Sequence, residues 1–182
     1  MKSAGLTVAL VSLLITNVCC QRLSYNELTA ISKKVTVTVV VFISPDCPIS
    51  QKYLGELNNI ADQHAPSKLL ILGFIPGKIG KGELQKFKEE YNIHFDIYND
   101  RDYEWVKKLN GNITPEAYVF DNLGLLKYKG AIDNWFYELG SHRQLISEHY
   151  LTDAIDAVMK GSVPAIKETE EVGCIIQIPT KK

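Results

Sequence analysis

An α/β fold, a sheet with helices packed on its faces, is what this 182-residue sequence predicts, and three observations predict it. Residues 35–43 and 68–75 are near-continuous apolar, β-branched runs, the pattern of strands buried on both faces. Ile49, Tyr53, Leu57 and Ile60, and later Leu84, Phe87 and Tyr91, fall at helical spacing, so strand, helix, strand and helix follow in order. That order makes a parallel βαβ unit with a right-handed crossover. Further on, residues 116–120 and 125–128 flank the turn Asn122-Leu123-Gly124 and predict a β-hairpin whose first strand begins just after Pro115.

The remaining elements follow the same logic. Ser24 with Glu27 three residues on is a capping box, which predicts a short helix through Ile31. The helix after the first strand ends before Pro66. A short strand at 95–98 precedes a helix marked by Trp105, Val106 and Leu109, stopped at Gly111-Asn112. Leu151, Ala154, Ile155 and Val158 mark the last helix, closed by Gly161. Residues 161–182 form a tail without clear period, in which the acidic run 168–171 reads as solvated.

Composition narrows the class. Hydrophobic residues at 46% with 23% charged residues are those of a globular domain, and a net charge of −1 gives no electrostatic basis for nucleic acid as a partner. Residues 1–20 stand apart. Lys2 is followed by an uncharged, largely apolar run at 6–18, shorter than the roughly 20 residues that span a bilayer. The run reads as a secretory signal peptide, with the folded domain at 21–160. Export places the protein in the periplasm, or on a membrane facing it if Cys19 or Cys20 carries a lipid anchor instead. Cleavage after Cys20 leaves two cysteines, Cys47 and Cys174. With no Cys-x-x-Cys and no Cys/His cluster at zinc spacing, neither a metal nor another cofactor is expected.

The first strand ends at Ser44-Pro45-Asp46-Cys47-Pro48-Ile49-Ser50. Pro48 suits the first position of a helix, where its missing N–H costs nothing, and this puts Cys47 at the helix start. A thiolate is the reactive form of cysteine, and unpaired N–H groups at a helix start favour it. Ser50 is placed to donate its hydroxyl to the same sulfur, while the Asp46 carboxylate works against the anion.

These residues, with Phe95-Asp96 and Ile113-Thr114-Pro115-Glu116-Ala117-Tyr118-Val119-Phe120-Asp121, resemble the thioredoxin fold in its redoxin branch, the TlpA-like and AhpC/TSA-like proteins. The resemblance covers about residues 35–160. The tail with Gly173-Cys174-Ile175 is also similar to a group of exported bacterial redoxins. The resemblance implies a central mixed sheet flanked by helices, with a strand–helix insertion before the Thr-Pro hairpin. It also implies a cis Thr114-Pro115 bond facing Cys47, and a Thr114 backbone edge on which an extended substrate pairs. Ser44 and Pro48 complete the expected substrate-binding set.

The departures from the family patterns matter equally. Ser50 stands where thioredoxins carry their second cysteine. Val40 replaces the proline of the peroxiredoxin motif Pro-x-x-x-Thr-x-x-Cys, with Ser44 at the threonine position. Arg101 and Arg143 are the candidates for a peroxidatic arginine. A copper-chaperone redoxin needs two cysteines in this loop and a histidine, and here there is one cysteine.

With Ser50 unable to exchange, Cys174 is the candidate resolving thiol. The span from Gly161 can reach roughly 40 Å at about 3.3 Å per residue, so distance does not forbid it. An intermolecular, free or structural Cys174 is the alternative. The expected function is thiol-disulfide exchange on exported proteins, with an external thiol as electron donor. A thiol-dependent peroxidase and a non-catalytic redoxin scaffold that binds exported proteins are the competing readings.

Overall fold

The computed structural model describes residues 23–179; the expected signal peptide with Cys19 and Cys20 lies outside them. The chain enters through α1 (Tyr25–Ser32), where the Ser24 hydroxyl accepts the Glu27 N–H and the Glu27 carboxylate accepts the Ser24 N–H, closing the capping box. β1 (Val37–Phe42), α2 (Pro48–Asp62), β2 (Leu69–Pro76) and α3 (Lys81–Glu90) form the βαβα unit. β3 (Asp96–Asp100) and α4 (Glu104–Leu109) are the insertion, and β4 (Ile113–Thr114) leads to the hairpin of β5 (Glu116–Asp121) and β6 (Leu126–Gly130). A short ribbon, β7 (Phe136–Glu138) with β8 (Ser141–His142), precedes α5 (Tyr150–Met159); β9 (Cys174–Ile175) lies in the tail.

The sheet has five strands in the order β3-β2-β1-β5-β6. β1, β2 and β3 are parallel, while β5 and β6 run antiparallel, so the sheet is mixed, as expected. Alternation along β1 builds two cores. Val37, Val39, Val41 and Ile43 face α2, α3 and α5, whereas Val40 and Phe42 face Trp105 and Val106 of α4. Burying each such side chain is worth about 1.5–3 kcal/mol, so the centre of the sheet is its most stable part.

The tail departs from the expectation of a solvated acidic segment. It returns along the free edge of β6, where Lys129 donates its N–H to Lys167 and accepts the N–H of Thr169. Gly130, with φ +137°, makes this approach possible, because a Cβ there would sit 2.3 Å from the Thr169 hydroxyl oxygen. Glu168 stays exposed but reaches Lys129 at 3.6 Å, and Glu171 is half-buried. The physical reason is the edge itself: an unpaired strand edge offers N–H and C=O groups that a passing chain can satisfy. The β7–β8 ribbon also lacks any counterpart in the sequence reading.

Asp100, at the end of β3, fixes the segment that later walls the site. Its buried carboxylate accepts the N–H groups of Trp105 and Val106 at 3.1 and 3.0 Å, and its carbonyl accepts that of Tyr103. Replacing it strands two helix-start donors in a buried place. Asp100→Ala is expected to lower unfolding stability in urea by about 1–3 kcal/mol, with Asp100→Asn costing less because its amide oxygen can still accept.

Candidate active site

The site begins where β1 runs out. Ile43 still donates to Phe74, then Ser44-Pro45-Asp46 turns the chain, with the Cys47 N–H on the Ser44 carbonyl and the Asp46 N–H on the Ser44 hydroxyl. Pro48 opens α2 and stays exposed, outside the cavity described below. Cys47 is the N-cap of α2: its sulfur accepts the Ser50 N–H at 3.5 Å, as a serine or aspartate oxygen would. Ser50 is fully buried, and its hydroxyl oxygen accepts the Ser44 N–H at 3.3 Å, locking the loop over the helix start.

Thr114 and Pro115 meet this sulfur from the other side. The Thr114–Pro115 bond is cis, and the Cys47 thiol donates to the Thr114 carbonyl at 3.0 Å. The edge expected for a substrate is already taken. β4 pairs antiparallel with β9, placing Cys174 opposite Thr114, and Ile176 donates its N–H to the Asn112 carbonyl at 2.8 Å. Cys174 and Cys47 line the same cavity, and no disulfide joins them. The structure therefore brings together Cys47, Ser50, Thr114, Pro115, Ser44 and Cys174. Only Pro48 stands aside.

Electrostatics separate the two thiols. Burial pushes the Cys47 thiol up, since the residue is 1% exposed. Hydrogen bonds from Cys174, from Ser50 and from Thr114 outweigh that, and the net shift is downward. Cys174 is pushed up to about 11 by burial, by its hydrogen bond to Cys47 and by the charge on Cys47. The pair titrates as a unit, with Cys47 giving up its proton first.

A cavity of about 210 Å³ opens beside the pair, walled by Ser44, Asp46, Tyr103, Thr114 and Gln177. Neither candidate arginine lines it: Arg101 belongs to a separate groove with Lys78 and Lys107, and Arg143 donates to the Asn134 carbonyl. The histidines stand elsewhere, His64 against the Ile60 carbonyl and His94 against Asp62. Among the described residues no group of three or more His, Cys, Asp and Glu side chains is arranged to hold a metal ion.

Sequence reasoning missed several residues here. Tyr103, in a left-handed conformation with φ 57°, reaches the cavity only because Gly77 leaves room under its ring. Glu116, fully buried next to Pro115, accepts the Asn112 N–H at 3.2 Å and lies 3.7 Å from the Lys129 ammonium. Glu171 is raised by burial and by the charge of Glu116. Glu116 follows the Thr-Pro pair directly, a signal that was visible but carried no obvious role.

The chain matches the AhpC/TSA family over residues 17–129, a segment that contains Cys47 and Thr114 but stops before the tail. No curated protein matches it in sequence. An uncharacterized conserved protein from Geobacillus kaustophilus is similar in structure, with a TM-score of 0.72 at 22% identity over 83% of this chain and 82% of that one. A hypothetical protein from Sinorhizobium meliloti 1021 gives 0.70 at 22% identity, over 81% and 82%. The solution structure of a thioredoxin-like protein in its oxidized form gives 0.54 at 17% identity, over 70% and 80%. Sheet order, the cis proline and the matched segment agree: this chain is a thioredoxin-fold redoxin and belongs to the AhpC/TSA family.

Proposed function

We propose that the protein is an exported two-cysteine thiol-disulfide oxidoreductase, with Cys47 as the nucleophile and Cys174 as the resolving thiol. Its family supports thiol redox chemistry in general. The observation that carries the finer reading is the β4–β9 pairing, which sets Cys174 opposite Thr114, the residue whose carbonyl the Cys47 thiol meets, and brings both thiols to one cavity. The lysine-led apolar run at 6–18 supports export.

In the first step the Cys47 thiolate attacks one sulfur of a substrate disulfide. A mixed disulfide forms and the second substrate sulfur leaves as a thiolate. Cys174 then loses its proton to that thiolate or to solvent and attacks the Cys47 sulfur. The Cys47–Cys174 disulfide forms and the remaining substrate thiol is released. The substrate disulfide has gained two electrons and two protons, and an external dithiol restores the enzyme.

The pKa pattern orders these steps. While Cys47 is a thiolate, its charge and its hydrogen bond hold Cys174 as a thiol. Once Cys47 is in a mixed disulfide, both influences vanish and only burial remains, so Cys174 ionises more readily when it is needed. Against a peroxidase reading, no cationic side chain among the described residues lines the cavity, and Val40, where the peroxiredoxin motif has proline, is buried in β1.

Four outcomes test this reading. Alkylation of Cys47 should rise with a midpoint below the roughly 8.5 of an ordinary thiol, because a lowered pKa yields thiolate at lower pH. In Cys47→Ser the Cys174 midpoint should fall from about 11 toward that ordinary value, since the neighbouring charge is gone. Reduction of a disulfide-bonded polypeptide should drop at least about a hundredfold in Cys47→Ser, while Cys174→Ser stalls as a trapped mixed disulfide. Mass spectrometry of mildly oxidised wild type should find a 47–174 link; turnover that survives Cys47→Ser, or sulfenic acid formed faster than any disulfide exchange, would overturn the assignment.

A further inference from the structure

The segment seated on β4 has the features of a substrate. β9 runs antiparallel along Thr114, and its thiol lies where an incoming disulfide would have to meet Cys47. The residue before that thiol is Gly173, whose backbone lies so close to β4 that an added Cβ would sit 2.2 Å from the Thr114 carbonyl oxygen. Ile175, the residue after it, is exposed, whereas Ile176 donates to Asn112 and packs against the cluster of Phe42 and Tyr118. A strand docked in this register needs glycine before its cysteine, tolerates any residue after it, and gains from an apolar one at the second position.

The docked segment is held by a ladder of only two residues at this end and by a side-chain network upstream. At 174–176 a two-residue antiparallel ladder pairs Ile175 with Ile113 and Cys174 with Thr114, supplemented by the Ile176 N–H on the Asn112 carbonyl and a 3.4 Å contact from the Thr114 hydroxyl to the Cys174 carbonyl. Thr169, five residues earlier, pairs with Lys129, accepts the Ala131 N–H at 2.9 Å and shares a 2.7 Å hydrogen bond with the Tyr128 hydroxyl. A released β9 therefore remains tethered, with Cys174 within roughly 17 Å of Thr169.

We propose that residues 173–176 are a built-in competitor on the β4 edge where the resemblance has an extended substrate pair, so that a polypeptide must displace them and does so best with the pattern Gly-Cys-x-apolar. This rests on disulfide exchange at Cys47. A small disulfide reaches the sulfur through the cavity of about 210 Å³ without competing for β4, while a polypeptide competes with the tail. Displacement leaves Cys174 on its tether, so it can return to Cys47 once the mixed disulfide has formed.

The test compares the full-length reduced protein with Gly173→Val, which blocks docking in the groove, and Thr169→Val, which loosens the tail outside it. Each is reacted with hydroxyethyl disulfide and with two peptide disulfides that differ only in carrying Gly or Val before the cysteine. Both variants should raise the rate with the Gly-Cys peptide relative to that with hydroxyethyl disulfide by about tenfold, the ratio cancelling any change in the Cys47 thiolate that both substrates share. The Val-Cys peptide should remain slower than the Gly-Cys peptide in every form. If Gly173→Val does not fold by circular dichroism, Thr169→Val carries the comparison. An unchanged ratio of peptide to small-disulfide rates in the folded variants overturns the competition, and equal rates for the two peptides overturn the pattern. A wild type inert toward hydroxyethyl disulfide overturns the exchange reading itself.

Discussion

The site depends on one sulfur serving as a helix cap. Cys47 closes the start of α2 by accepting the Ser50 N–H, which fixes its position and favours its anion. The opposite neighbour works against this. A carbonyl oxygen at 3.0 Å, that of Thr114, rewards the protonated thiol and repels the thiolate. The Cys174 side chain tips the balance by hydrogen-bonding the sulfur from the tail. The charge state of Cys47 is thus tied to whether β9 is docked, and docking of β9 is in turn favoured by a charged Cys47. The two equilibria are linked and must shift together.

The same tail crosses a second electrostatic feature. Glu116 is wholly buried, and the Lys129 ammonium serves both Glu116 and Glu168, with Glu171 held close by. Glu171 holds its proton more tightly, first because it is partly buried and then because of the charge of Glu116. The tail between Thr169 and Gly173 therefore lies over repulsive ground, while its two ends are bonded. Its anchors are Thr169 on β6 at one end and the β4–β9 ladder at the other.

What the sequence revealed follows from the range of the interactions involved. The capping box at Ser24, the helix start at Cys47-Pro48, the Thr114-Pro115 pair and the hairpin turn at Gly124 all depend on residues within a few positions of one another. The strand–helix order follows from periodicity, and with it came the sheet. Contacts that join distant segments left no such trace. Thr169 under Gly130, the two N–H groups on Asp100, Tyr103 over Gly77 and the pairing of Cys174 with Thr114 each require the folded chain to be seen. The dipeptide Gly173-Cys174 stood in plain view, yet the need for glycine exists only because the Thr114 carbonyl lies against it. The acidic run was misread for the same reason, since charge density alone says nothing of an unpaired sheet edge nearby.

The placement of the second thiol has a physical consequence. In a Cys-x-x-Cys loop both sulfurs belong to one helix turn and neither can leave the other. Here Ser50 occupies that place and is used to lock the loop, while the second thiol comes from beyond the segment that matches the family. A thiol carried on a two-residue strand is present at high local concentration when docked and is removable when something else needs the edge. In the exchange proposed above, the resolving thiol and the occupant of the polypeptide groove are one residue, so a bound polypeptide delays its own resolution until the groove is vacated, whereas a small disulfide carries no such delay. On that proposal, dividing the chemistry between a fixed sulfur on α2 and a second one on β9 is itself a means of treating large and small substrates differently.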